Sequence, residues 1–178
     1  DLDVVAAYKS TIAWYENDGA ADPSWTATDI VTNASGASDV YVGDLDGDGD
    51  VDIVSASSGN DTIAWYENDG AADPSFTATT IATDAGGAID VHVADLDMDG
   101  DLDIVSASQS DDTVAWYEND GASDPSFTAQ DIYTSADGVN DVFVVDLDGD
   151  GDLDILSTAN TGSNHLVTWY ESNAADKN

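Results

Sequence analysis

Asp44–Val54 reads DLDGDGDVDIV, five aspartates within nine residues. Side by side in water these carboxylates repel one another, so a folded chain needs a reason to hold them together. The string returns as DLDMDGDLDIV from Asp95 and as DLDGDGDLDIL from Asp146, in steps of 51 residues. Position by position it is D-x-D-x-D-G-x-x-D. Aspartates at positions one, three and five of a tight loop can surround one point, and glycine at position six permits the sharp turn. Position seven adds a backbone carbonyl and position nine a further carboxylate. Calcium takes six to eight oxygens in a shell of this kind, whereas magnesium demands a stricter octahedron and keeps its waters. A bound cation turns mutual repulsion into shared attraction.

The first six positions also match the helix–loop–helix calcium hand, but that motif needs a bidentate glutamate at position twelve. Ser55, Ser106 and Ser157 stand there, and the flanks are β-branched. The loops therefore join strands.

The same period governs the rest of the chain. AWYENDGA occurs at Ala13–Ala20, Ala64–Ala71 and Ala115–Ala122, with a weaker copy, TWYESNAA, at Thr168–Ala175. DPSWTA at Asp22 returns as DPSFTA at Asp73 and Asp124. Within one period four runs rich in Val, Ile, Thr and aromatic residues lie between Gly, Asp, Asn and Pro clusters. They are Asp39–Gly43, Val51–Ser57, Thr62–Asn68 and Phe76–Thr83. No stretch carries a helical stripe. Four antiparallel strands in about 50 residues, repeated, is the arithmetic of an all-β propeller blade.

The frame divides residues 1–178, one propeller segment, into a partial blade at 1–38 (strands two to four), blades at 39–89 and 90–140, and a partial blade at 141–178 (strands one to three). Two such chains would carry the strand count of seven blades, and a window cut from a longer array explains the ends equally well. No initiator Met or signal peptide is present, so the chain reads as a processed form or a fragment.

These loops and blades resemble the FG-GAP/VCBS repeat family, the integrin-α-like β-propellers, and the resemblance covers essentially the whole chain. It implies calcium sites between the first two strands of each blade. Carried over, the ligands are Asp44, Asp46, Asp48 and Asp52 with the Asp50 carbonyl; Asp95, Asp97, Asp99 and Asp103 with the Asp101 carbonyl; and Asp146, Asp148, Asp150 and Asp154 with the Asp152 carbonyl. Three complete Ca2+ sites are expected, and a fourth, partial one at Asp1 and Asp3. Met98 replaces a loop glycine at a variable position and is expected to be neutral.

Composition narrows the partners. Thirty-eight acidic residues face two Lys and no Arg, a formal charge of −36. Such a field disfavours nucleic acid and anionic membranes and favours cations, basic proteins or neutral sugars. No apolar run is long enough to insert in a membrane, and the absence of cysteine removes thiol chemistry. The Trp-Tyr pairs (Trp14/Tyr15, Trp65/Tyr66, Trp116/Tyr117, Trp169/Tyr170) read as core packing on both blade faces rather than as sugar platforms. His92 reads as a core or channel residue, and His165 lies in the period-breaking insertion NTGSNHL. No catalytic residues are identified.

The leading expectation is a non-catalytic, extracellular or cell-surface adhesion module for protein or carbohydrate, stabilised by calcium. The alternatives are a structural subunit, as a closed dimer or a filament, continuing into further blades or copies, and the propeller domain of a polysaccharide-active enzyme.

Overall fold

Glycine- and aspartate-rich clusters cut the β-branched runs into short, equal pieces, and each piece pairs with the next through a tight connection. The computed structural model describes residues 2–162 and 165–172. It contains fourteen strands, all paired antiparallel, in four sheets. The first sheet comprises β1 (Val4–Tyr8), β2 (Thr11–Asn17) and β3 (Trp25–Val31). The second comprises β4 (Ala37–Gly43), β5 (Asp52–Ser57), β6 (Thr62–Asn68) and β7 (Phe76–Ala82). The third repeats it with β8 (Ala88–Ala94), β9 (Asp103–Ser108), β10 (Thr113–Asn119) and β11 (Phe127–Tyr133). The fourth holds β12 (Val139–Val145), β13 (Asp154–Asn160) and β14 (His165–Tyr170). In every sheet the strands follow chain order. The architecture is a blade-based, β-propeller-like repeat fold.

The strands agree with the sequence reading to within two residues. β5 starts at Asp52 rather than Val51, and β4 reaches back to Ala37 across a register shift between Ala37 and Asp39. The same irregularity recurs at Ala88/Asp90 and Val139/Asp141. Bulges of this kind tighten the right-handed twist.

Neighbouring sheets touch mainly through their leading strands: β1 with β4, β4 with β8, and β8 with β12. Of these, β4, β8 and β12 form the inner wall, while β1 is the equivalent of the second strands β5, β9 and β13, and the sheets stack face on face. Side chains alternate across each strand, so every sheet has a forward and a rear face. Val54, Ala56, Ile63 and Trp65 point forward from the second sheet and meet Val91, Val93, Ile104, Ala115 and Tyr117 at the rear of the third. The third sheet repeats this toward the fourth with Val105, Ala107, Val114 and Trp116. Trp65/Tyr66 and Trp116/Tyr117 thus each serve two interfaces, the Trp facing forward and the Tyr rearward. At about 1.5–3 kcal/mol per large buried side chain, these interfaces are the core.

Fourteen strands resolve into four sheets of three, four, four and three. Among the described residues the first sheet has the equivalents of strands two to four and the fourth those of strands one to three.

Candidate metal centre

Each acidic loop leaves the inner strand and returns on the second, between β4 and β5, β8 and β9, and β12 and β13. Inside the loop the aspartates first fold the backbone. Asp46 Oδ1 accepts the Asp48 amide at 3.2 Å, Asp48 Oδ1 the Asp50 amide at 2.9 Å, and Asp44 Oδ2 the Gly49 amide at 3.0 Å. Gly49, Gly100 and Gly151, at position six, take φ of 97°, 104° and 102°, where a side chain is disfavoured. The second loop repeats these bonds with Asp97, Asp99 and Asp95.

The folded loops gather carboxylates. One ligand oxygen each from Asp44, Asp46 and Asp48 lie within 4.8 Å of one another, as do those of Asp95, Asp97 and Asp99, and of Asp146, Asp148 and Asp154. Partial burial pushes the Asp46 carboxyl up, and the charges of Asp48 and Asp44 add to it, against the Asp48 amide. Most telling are Asp44 Oδ1 and Asp95 Oδ1. Both are buried, and neither has a hydrogen-bond donor. A buried carboxylate oxygen without a partner is costly, and a hard cation among three carboxylates is the partner that fits.

The third loop differs. Asp146 Oδ1 accepts the Gly149 amide at 2.8 Å while its Oδ2 takes the Gly151 amide at 3.2 Å, so both oxygens are engaged by the backbone. Asp150 also stands apart from this loop's cluster, its Oδ1 accepting the Asp152 amide.

Asp52 and Asp103 are placed differently from the aspartates before them. They are fully buried and lie outside the three-oxygen clusters. Asp52 Oδ2 accepts the Leu45 amide at 3.1 Å and its Oδ1 the Asn68 amide at 2.8 Å. Asp103 does the same with Leu96 and Asn119, and Asp154 with Leu147 and Ser172. The position-nine carboxylate therefore ties its loop to the end of the third strand. Burial pushes Asp103 up to about 6 and Asp52 in the same direction, opposed by these amides. Asp3 repeats the anchor, accepting the Asn17 amide and the Trp14 indole. Asp1 lies outside the described residues.

Asp50 and Asp101 turn their side chains toward Gly70 and Gly121, where an added Cβ would stand 2.0 Å from a carboxylate oxygen. That explains the glycine in AWYENDGA. The asparagines of the same string were not singled out from sequence, although their recurrence was the available signal. Asn68 Nδ2 donates to the Val51 carbonyl, and Asn119 Nδ2 bridges the carbonyls of Leu102 and Leu45, the latter in the preceding sheet's loop. Met98, expected to be neutral, takes a φ of 64°, the left-handed conformation of Gly47 and Gly149. The replacement carries a backbone cost.

His92 is buried between Tyr41 and Phe143, with ring centroids 4.5 Å and 5.0 Å away. Burial holds its pKa below the usual histidine range, against the charges of Asp39 and Asp141. His165 is exposed at the start of β14, and Ser163 and Asn164 of its insertion lie outside the described residues.

A family model described as FG-GAP-like repeat matches residues 1–55, 44–106 and 95–157. Two of the three matches open on the first aspartate of an acidic loop. This chain belongs to the FG-GAP-like repeat family. As a member of that family it is a β-propeller-type repeat module, the architecture its four sheets display. No curated protein matches this FG-GAP-like chain. Among its described residues no helix is long and apolar enough to cross a membrane, which says nothing of a β-barrel.

Proposed function

We propose that this chain is a calcium-stabilised propeller module of an extracellular or cell-surface protein, binding a protein or carbohydrate ligand without catalysis. The observation that carries the calcium reading is the pair of buried, donorless oxygens, Asp44 Oδ1 and Asp95 Oδ1, each inside a three-carboxylate cluster. Asp44, Asp46 and Asp48, then Asp95, Asp97 and Asp99, and in the third loop Asp146, Asp148 and Asp154, would hold the ions. The position-nine aspartates Asp52 and Asp103 would brace the first two shells from behind. A bound ion supplies charge neutralisation and rigidity rather than reaction chemistry. Loops of this class suit the millimolar calcium outside cells better than the low calcium of the cytosol.

The binding assignment rests on the same scaffold. Propeller loops present variable side chains on a rigid frame, and the charge of −36 favours basic or neutral partners. His92, the histidine nearest the inner wall, is sandwiched between aromatic rings, which fits a packing role and not an acid–base one.

The test is native mass spectrometry with calorimetry, in calcium and after chelation. Three ions per chain and a sharp fall in melting temperature on chelation are expected. An unchanged melt would remove the calcium reading. Screening the calcium-loaded protein against glycans and basic proteins tests the ligand class.

A further inference from the structure

Asn119 ends β10 only 2% exposed, and its carboxamide joins two acidic loops. Nδ2 donates to the Leu45 carbonyl at 2.8 Å and to the Leu102 carbonyl at 3.0 Å. Leu45 stands between Asp44 and Asp46 in the first loop, and Leu102 between Asp101 and Asp103 in the second. Asn119 Oδ1 accepts the Gly121 amide at 3.1 Å, which fixes the direction in which Nδ2 points. The Asn119 amide donates to Asp103 Oδ1 at 2.9 Å, and Asp103 Oδ2 holds the amide of Leu96, between Asp95 and Asp97, at 3.1 Å. A continuous run of hydrogen bonds therefore leads from one carboxylate cluster to the next. Packing reinforces it, since Leu45 is buried in the core cluster against which Leu102 rests.

The next pair of loops is joined differently. Ser172 takes the place of Asn119 in the fourth sheet, and its amide keeps the bond to Asp154 Oδ1 at 3.0 Å. Its hydroxyl has a single proton and cannot donate to two carbonyls. The clasp between the first and second loops therefore has no equivalent at this position between the second and third.

We propose that Asn119 couples the first two acidic loops, so that calcium in either one raises the affinity of the other, while the third loop fills independently. This rests on the calcium reading above and adds a positioning residue outside the carboxylate clusters. An ion between Asp44 and Asp46 fixes the backbone at Leu45, and with it one of the two carbonyls that hold Asn119. Asn119 then keeps Leu102 and Asp103 in place before the second ion arrives, so less ordering remains for that ion to impose. Linkage makes the effect reciprocal, each ion raising the other's affinity by the same factor.

Calcium titration of the 178-residue chain, followed by NMR, is the test. The amides of Gly49, Gly100 and Gly151 donate to Asp44, Asp95 and Asp146, so each reports its own loop. Asp46→Asn with Asp48→Asn disables the first loop and leaves acceptors for its turn amides. The Kd of the second loop should then rise roughly fivefold or more, with the third unmoved. In an Asn119→Ser background the same pair should leave the second loop's affinity unchanged. Ser172→Asn tests the clasp by adding it: the third loop should now respond to Asp97→Asn with Asp99→Asn, whether or not Asn119→Ser folds. A wild-type chain that binds no calcium overturns the calcium reading and this coupling with it. Calcium bound in wild type, with the second loop indifferent to the first, overturns the coupling alone. A response that persists in Asn119→Ser, or a third loop still independent in Ser172→Asn, also overturns it.

Discussion

At the scale of single residues, two positions carry measurable consequences. Met98 holds a left-handed φ, a conformation that costs a side-chain-bearing residue about 1–2 kcal/mol. At the equivalent Gly47 an added Cβ would meet nothing within 4 Å, so the cost lies in the backbone alone. Met98→Gly should stabilise the calcium-loaded protein by about 0.5–1 kcal/mol, because glycine's greater unfolded-state freedom offsets part of the relief. Urea titration checks this, and a loss of stability would contradict it. Asp90 is the second position. Burial pushes it up to about 7, the charges of Asp39 and Asp141 adding to the effect, while the Val142 amide works against it. An acid raised from 3.8 to about 7 in the folded state binds its proton more tightly there than when unfolded. Its effect on stability is therefore neutral below the lower value, grows unfavourable through the window, and is a full penalty above the upper one. Asp90→Asn keeps an acceptor for Val142 and removes the charge. The variant's melting temperature should match wild type at about pH 4 and exceed it at about pH 8, at constant calcium. A difference that stays flat with pH would refute the assignment.

At the scale of the element, the acidic loops are not three equal copies. Asp44 and Asp95 each keep one oxygen free of donors, whereas Asp146 commits both to the amides of Gly149 and Gly151. A cation entering the third loop has to displace a hydrogen bond that the first two never made. Calcium titration followed by native mass spectrometry should show two ions binding ahead of the third. Simultaneous filling of all three, or early filling of the Asp146 loop, would mean that the Gly149 contact does not matter. The connections between second-last and last strands have their own organiser. Asp69 accepts the amides of Ala71 and Ser75 and the Ser75 hydroxyl, the last at 2.6 Å, and these bonds hold its carboxyl below the usual range. Asp18 and Asp120 repeat the arrangement with Ser24 and Ser126. The Asp of AWYENDGA and the Ser of DPSFTA are thus one motif split across a turn. Asp69→Ala should destabilise by leaving these loop amides unpaired, read as a lower urea midpoint with an unchanged slope.

At the scale of the whole molecule, thirty-eight acidic side chains stand against two lysines, and the proposed calcium sites would make folding depend on the solvent's cations. Ions that bind only the folded state stabilise by mass action, roughly 1–3 kcal/mol each when present well above their dissociation constants. Monovalent salt cannot substitute at the loops, because it screens the general field without filling a coordination shell. Chelation in high sodium chloride should therefore still lower the melting temperature, and full rescue by salt alone would argue for a purely diffuse effect.

The period, the strands and the acidic loops were all readable from residues alone, because each rests on local chemistry: β-branched alternation, glycine at sharp turns, and aspartates at alternate positions. The opposed roles of Trp65 and Tyr66 followed from strand alternation in the same way. What each aspartate does with its oxygens was not readable. Asp44 and Asp52 look alike in the string, yet one faces its loop neighbours and the other is buried against Asn68, since the partner comes from a strand sixteen residues away. Nor could spacing distinguish Asp146 from Asp44, which differ by one amide contact. Above all, the repeat makes Val167 and Ile63 equivalent on paper, whereas one is exposed and the other fully covered. Burial belongs to the neighbour a face meets, and only the stacking of the sheets decides which faces have one.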